Sequence, residues 1–404
     1  PLPSNVTNNM SGGYNYIEGE WIQGPFEIVN GSPAGGLSAS GLDMAKFMIA
    51  HLQNGEYHGS RILNEETAQK MLSPLYSPDP SIDGMAHGFF YRQVNGRTVL
   101  SHGGDTMLFH SELALLTEDN VGFFISTNGA NGGQVVESFT NAFYNHYFPA
   151  EKEENFILLT STSERADIYN GSYTSARSSY TGIERILNLM SSSSVTVTEN
   201  GQIFVNMMGR EMVMVEAEPG ILVDTAHPDQ KLVLKEVDGQ VQLHPSMPFV
   251  LIKNRWFENN LFHQALIFGT LFLLLVSNLV WITAYFVRRK HSIEKPEPLI
   301  RYSHWSAAIF FLMLIVFLIG FLVIMTDMEP AMQVPYVFFE NPPLLKALLI
   351  LPIGLFICSG ILLALCILQW LKQTGSIANR ILNSLLTFFC LGTVWSLSFW
   401  NLLF

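Results

Sequence analysis

Cysteine is nearly missing from this chain. Its 404 residues include 3 cysteines, Cys358, Cys366 and Cys390, all in an apolar C-terminal region. The long polar portion has none, which excludes a disulfide framework and a thiolate metal site and fits an exported domain that folds without disulfides. There is no His-Glu-x-x-His, no clustered His/Cys and no Gly-x-x-x-x-Gly-Lys phosphate loop. No cofactor and no metal are implied. Charge is scarce as well: 14% of residues are charged against 48% hydrophobic, an apolar balance for a soluble protein. From Leu261 onward eight Lys/Arg outweigh five Asp/Glu, a net of +3, so a total of −12 leaves −15 for the remainder. An acidic chain of this kind is a poor nucleic-acid binder, and no nucleic-acid partner is expected.

The apolar excess lies in four runs, about 261–287, 303–326, 344–370 and 380–403. Each is long enough to cross a hydrocarbon layer of roughly 30 Å, which takes about 20 helical residues. The first connection carries Arg288, Arg289, Lys290, Lys295 and Arg301, and the third carries Lys372 and Arg380. The second carries Asp327, Glu329 and Glu340, with no Lys or Arg before Lys346. Positive loops mark the cytoplasmic side, so residues 1–260 and the C-terminus are expected on the extracytoplasmic side. Trp256, Trp305, Trp370 and Trp400 fall near span ends, where interfacial tryptophans belong. No span centre carries Asp, Glu, Lys or Arg, so no ion path is expected and anchoring is the default role. Pro352 and Gly354 suggest a kink.

The polar portion changes character along its length. Residues 1–36 read as loops with scattered aromatics, Tyr14, Tyr16, Trp21 and Phe26. Ser40 reads as a helix N-cap, with Asp43 in the first turn, Leu42, Ala45, Ile49 and Leu52 at helical spacing, and Asn54-Gly55 as the stop. A short helix runs from Asn64 to Ser73-Pro74. Strands are expected at His87–Val94, up to Thr106 after the Asn95-Gly96 turn, at Ser111–Thr117 and at Val121–Thr127. A helix follows over Gln134–Tyr147, with Val135, Phe139, Ala142, Phe143 and Tyr147 on one face. Residues 151–165 read as a linker. Short alternating strands at 169–174, 195–198, 203–206, 212–215, 231–234 and 241–243, with hairpin turns at Asn200-Gly201 and Asp238-Gly239, argue for a small barrel or sandwich with a packed interior.

The stretch Thr98-Val99-Leu100-Ser101-His102-Gly103-Gly104-Asp105 is where chemistry concentrates. An apolar strand ends in a histidine and two glycines, which lets another backbone lie close alongside. With the Pro33-Ala34-Gly35-Gly36-Leu37-Ser38 turn and the helix beginning near Asp43, this resembles the serine β-lactamase and penicillin-binding protein superfamily, in its class C-like, esterase-like branch. That family carries Ser-x-x-Lys, Tyr-x-Asn, and a strand reading Lys-Thr-Gly or His-x-Gly. His102-Gly103-Gly104 matches the third, and the resemblance covers about residues 1–150. The β-rich stretch is similar to the lipocalin-like domain appended to some of these hydrolases.

The first two motifs are absent. The one Ser-x-x-Lys, Ser292-Ile293-Glu294-Lys295, lies in a charged loop between spans, and Tyr-x-Asn does not occur. The chain begins at Pro1 without a signal peptide. It is therefore expected to be the C-terminal part of a longer product whose upstream portion supplies a secretion signal, the nucleophile and its base. A natural non-catalytic binding or sensing relative is the alternative.

The resulting expectation is a multidomain α+β chain. Residues 1–150 form a partial β-lactamase-like domain (antiparallel sheet with helices), 151–165 a linker, 166–257 a small β-barrel or sandwich, and 261–404 four transmembrane helices. The resemblance implies that the backbone N–H of Asp105 is an oxyanion-hole donor. His102, standing where a lysine often stands, polarises the active-site protons and attracts a substrate carboxylate. Gly103 and Gly104 leave the strand bare, and Gly35 and Gly36 belong to the substrate-cleft wall. Histidine in place of lysine favours ester, amide or D-peptide hydrolysis over penicillin recognition. The implied partners are the lipid bilayer and a cell-wall-like peptide or a small ester or amide. His110 and Glu112 are read as structural.

Overall fold

The structure, a computed structural model, describes residues 9–29, 33–150, 160–190, 193–207, 209–228, 230–245, 249–340 and 342–403. It combines an α+β part built on a five-stranded antiparallel sheet, an eight-stranded closed barrel and four long apolar helices. Contacts divide the chain into two units: Pro1–Arg177 with Ser193–Lys253 and Glu329–Gln333, and Ser178–Ser192 with Asn254–Met328 and Val334–Phe404.

The first unit opens with a hairpin, β1 (Tyr14–Ile17) and β2 (Glu20–Gln23), where the sequence suggests loop. Its turn is Glu18-Gly19, both at positive φ (50° and 93°), and a glutamate in that region is not the Asn or Asp that signals a primed turn. Helix α1 (Gly41–Leu52) starts as expected, with the Ser40 hydroxyl accepting from the Asp43 N–H. A two-residue pair, β3 (Glu56–Tyr57) and β4 (Ser60–Arg61), leads to α2 (Glu65–Met71), capped by Asn64.

The sheet follows in the order β5 (Gly84–Met85), β6 (Phe90–Val94), β7 (Arg97–Asp105), β8 (His110–Leu116), β9 (Val121–Thr127). Every pairing is antiparallel. Asn95 and Gly96 take φ of 49° and 76° at the β6–β7 turn, as an Asn-Gly hairpin requires. Strand alternation sorts the core. Leu100, Leu113 and Leu115 join Met48 of α1 with Ala86 and Phe89 on one face. Val99, Ala114, Leu116 and Phe123 join Tyr144 of α3 (Gly132–Tyr147) on the other.

Both long helices bury a face rotated from the one the sequence suggests, keeping Ala45, Leu52 and Phe143 on the core side. In α1 the core receives Met44, Ala45, Met48 and Leu52, while Leu42 and Ile49 are exposed. In α3 the buried positions include Val136, Thr140 and Tyr144; Val135, Phe139 and Tyr147 are exposed. Each helix is apolar on more than one side, so spacing alone leaves the choice of face open.

The barrel closes through β10 (Gly171–Ser175), β11 (Ser193–Val197), β12 (Ile203–Met207), β13 (Arg210–Glu218), β14 (Ile221–Asp224), β15 (Lys231–Val237), β16 (Gln240–Pro245) and β17 (Leu251–Lys253). The sequence pattern marks neither β14 nor β17, and it is β17 that pairs with both β10 and β16 to close the ring. Tyr173, Ile203, Met214, Leu222 and Leu243 are fully buried in one cluster, so the interior is filled by side chains.

Of the stretch read as a linker, 151–159 lies outside the described residues, and Thr160–Arg165 forms a 3₁₀ turn. That turn is tied to the barrel by Glu216, which is buried at the β13 bulge. Glu216 Oε1 accepts from Tyr169 Oη (2.9 Å) and the Gly220 N–H (2.7 Å). Its Oε2 accepts from Thr162 Oγ1 (2.8 Å) and Arg165 Nη2 (2.6 Å). Burial pushes this carboxyl up; the Gly220 N–H, Arg165, Thr162 and Tyr169 together outweigh it and hold the group below its usual range.

In the second unit the described residues hold four helical segments of membrane-crossing length and hydropathy: α4 (Asn260–Lys290), α5 (Pro298–Thr326), α6 (Pro343–Leu348) continuing as α7 (Leu351–Leu371), and α8 (Ile377–Phe399). The third segment breaks just before Pro352, whose ring lacks an N–H and clashes with the carbonyl four residues earlier. Gln369 Nε2 donates to Ser303 Oγ, and Asn383 Nδ2 donates to Gln369 Oε1, each at 2.7 Å. Such interhelical hydrogen bonds add cohesion where apolar contact alone gives helices little preference for each other over lipid. Trp256, Trp305 and Trp370 are exposed, but Trp400 is buried in the helical core.

Candidate active site

The site begins where β6 stops. The β6–β7 ladder ends at Phe90↔Ser101, while the β7–β8 ladder continues through His102↔Leu113, Gly103↔Glu112 and Gly104↔Ser111 to Asp105↔His110. Among the described residues, His102–Asp105 therefore have β8 on one side and no paired strand on the other, which leaves an open edge. The Thr106 N–H donates to the Phe109 carbonyl at 2.9 Å, toward β8. Backbone groups alternate along a strand, so the Asp105 and Gly103 N–H groups point to the open edge. His102, Gly104 and Asp105 are exposed and Gly103 is half-buried.

The histidine is held in place. Its ring stacks on Phe90, with centroids 5.3 Å apart and planes 16° from parallel. Nδ1 lies 2.7 Å from the Gly103 carbonyl, which can only accept. Nδ1 therefore carries the proton, and Nε2 is the nitrogen left to meet a ligand.

Gly103 is bare for a second reason. A Cβ there would meet Glu112 Oε2 at 3.2 Å. Glu112 is paired with Arg92, whose Nη2 also donates to Ser101 Oγ at 2.7 Å. Burial pushes the Glu112 carboxyl up, against the pull of Arg92 and Ser101. This partly buried ion pair backs the open strand from the α3 side. His110 Nδ1 meets Asp105 Oδ1 at 2.7 Å, fastening the side chain of Asp105 while its amide faces outward.

Sequence reasoning missed Glu27. Its Oε1 accepts from Thr106 Oγ1 (2.7 Å) and the Leu108 N–H (3.0 Å), and its Oε2 accepts from the Met107 N–H (2.7 Å). One carboxylate thus caps the whole β7–β8 turn. An isolated Glu in a loop, about 80 residues away, carries no sequence signal for this. Gly35 and Gly36 lie in an exposed turn; Gly35 has φ of 88°, and the nearest neighbour to a Cβ placed there is Val29. Ser292 and Lys295 lie exposed in the connection between α4 and α5. An apolar groove of about 530 Å³ runs between the β1–β2 hairpin and residues 127–132. It lies beside β9, on the far side of β8 from the open edge.

The segment is a five-stranded antiparallel sheet between helices, with a His-Gly-Gly strand running past its neighbour. Residues 3–142 match the Beta-lactamase family model, in agreement with the resemblance carried by His102-Gly103-Gly104. Beta-lactamase-like protein 1 of Dictyostelium discoideum is 28% identical over 144 residues, 30% of this chain and 22% of that protein. The chain thus spans under a quarter of that relative's length. Among solved structures, the octameric penicillin-binding protein homologue from Pyrococcus abyssi is 17% identical, with 62% of this chain and 55% of that one covered and a TM-score of 0.29. A SurE structure is 15% identical, with 60% and 56% covered and a TM-score of 0.40.

Proposed function

We propose that His102–Asp105 is one side of an acyl-transfer cleft in a membrane-anchored serine hydrolase, with the attacking serine on polypeptide outside this sequence. The observation that carries this reading is the open β7 edge with the Asp105 N–H directed along it. In such a cleft a serine oxygen attacks a carbonyl carbon, and the carbonyl oxygen gains negative charge. The Asp105 N–H and the nucleophile's own N–H stabilise that charge while the serine proton passes to the base; collapse of the tetrahedral species breaks the substrate C–O or C–N bond and expels the alcohol or amine with that proton, and water or another amine then resolves the acyl-enzyme. His102 presents Nε2 to the reacting proton or to a substrate carboxylate. An extended peptide laid along the edge suits the bare glycines, which supports D-peptide-like cell-wall peptides and small esters or amides as substrates.

The four helices act as the anchor. The Lys/Arg bias of their first and third connections supports an extracytoplasmic position for residues 1–260 in a bacterial membrane. The test is covalent labelling of the product read from the intact upstream reading frame, using a fluorophosphonate or a fluorescent penicillin. Labelling at one serine in a Ser-x-x-Lys is expected. An upstream frame lacking both Ser-x-x-Lys and Tyr-x-Asn, or a folded product that never labels, overturns the enzyme and leaves a ligand-binding relative.

A further inference from the structure

The turn that ends β7 is held by more than Glu27. The Leu108 side chain is fully buried, although it sits at a hairpin tip. Its socket is walled by Gly13 and Gly24, which are joined by a 2.9 Å bond from the Gly24 N–H to the Gly13 carbonyl. A Cβ at either glycine would collide with Leu108. Ala331 packs on Gly24 beside this socket: a Cβ on Gly24 would meet both Leu108 and the Ala331 Cβ, the latter at 3.2 Å, and Asn15 Nδ2 donates to the Ala331 carbonyl at 2.8 Å. Ala331 is fully buried and Met332 nearly so. Both belong to Glu329–Gln333, which clusters with the first unit although it lies in the connection between α5 and α6. Local hydrogen bonds shape that connection. The Glu329 carboxylate accepts from the Met332 N–H, its carbonyl accepts from the Gln333 N–H at 2.9 Å, and Gln333 turns at φ 54°.

We infer that the connection between the second and third membrane-length segments is a positioning part of the candidate site. Ala331 fixes Leu108, Leu108 fixes the β7–β8 turn, and the turn fixes the Asp105 N–H one ladder rung away. The role assigned to the Asp105 N–H rests on the hydrolase reading above; the socket does not.

The test uses the whole chain in detergent micelles and follows amide hydrogen exchange in peptides spanning 103–111. Ala331→Leu overfills the socket and should speed exchange at Met107 and Leu108 about tenfold, with the barrel strands unchanged. Ala331→Gly should act in the same direction but less. Unchanged exchange at 105–109 in Ala331→Leu overturns the inference. If Ala331→Leu loosens the whole unit, the comparison moves to Leu108→Ala. On that background Ala331→Gly should add nothing, and full additivity of the two changes overturns the coupling. In the longer, nucleophile-bearing product the same Ala331→Gly variant should slow acylation per labelled site while the labelled fraction stays constant. Failure of wild-type labelling removes the hydrolase reading and leaves the exchange result standing; unchanged exchange removes the socket coupling whatever the labelling shows.

Discussion

Replacing Glu216 by glutamine changes one atom's chemistry and keeps the shape, so its cost can be reasoned from four hydrogen bonds. Each carboxylate oxygen serves one hydroxyl that can turn and accept instead, Tyr169 or Thr162, and one N–H that can only donate, Gly220 or Arg165. A glutamine must put its NH₂ on one of the two sides. Whichever side it takes, a group that can only donate then faces another N–H. A bond to a charged acceptor contributes about 1.5–3 kcal/mol, and a buried donor left unmet costs about 1–3 kcal/mol, so Glu216→Gln should destabilise the barrel by about 3–5 kcal/mol. Domains of this kind are stable by only about 5–15 kcal/mol. Native-state hydrogen exchange of β13 and β14 amides in the micelle-bound chain would read the loss directly. A change under about 0.5 kcal/mol, the size of an ordinary surface substitution, would show that Glu216 does not hold the 160–169 segment to the ring.

The same carboxylate sets a pH dependence. Its folded-state value lies below the ordinary 4.5, so its contribution is complete above that pH and fades as acid carries the solution down through the lowered value; acid unfolding of Glu216→Gln should lose this component. Glu27→Ala removes the acceptor for the Met107 and Leu108 amides, and their opening free energy should fall by about 1–3 kcal/mol with β13 and β14 untouched. Leu243→Ala in the filled barrel should cost about 2–5 kcal/mol in urea unfolding, and a smaller loss would mean the ring collapses onto the void. Gly104→Val should abolish serine labelling of the longer product while leaving exchange in β8 intact, because among the described residues the added Cβ meets only the Ser111 hydroxyl, at 2.7 Å, which can turn aside; full labelling would mean substrate does not lie along β7.

What can be read from the chain, and what cannot, divides by the range of the interaction. Asn95-Gly96 and Asp238-Gly239 reveal their turns because a primed turn needs positive φ at both positions, and those residues tolerate it. Ser40 and Asn64 reveal their helices because a cap acts over three residues. The His-Gly-Gly strand stands out because two bare glycines at a strand end are poor packing and good access. The choice of helix face at Val135 or Val136 depends on which sheet side chains wait opposite, and no local pattern holds that. Glu27, Glu216 and Ala331 are invisible for the same reason, since their partners are about 50 to 300 residues distant. Strands β14 and β17 are short, and their assignment requires the closed ring they complete.

Because β10 bonds to β17 as well as β11, the barrel has no selvedge: every strand is flanked on both sides. A foreign strand finds nothing there to knit onto. The five-stranded sheet differs, since β9 is its outermost long strand and the tip of β7 is unflanked on one side. If copies of this protein ever stitch themselves together when crowded, the seam will start at that sheet, and the ring will stay out of it.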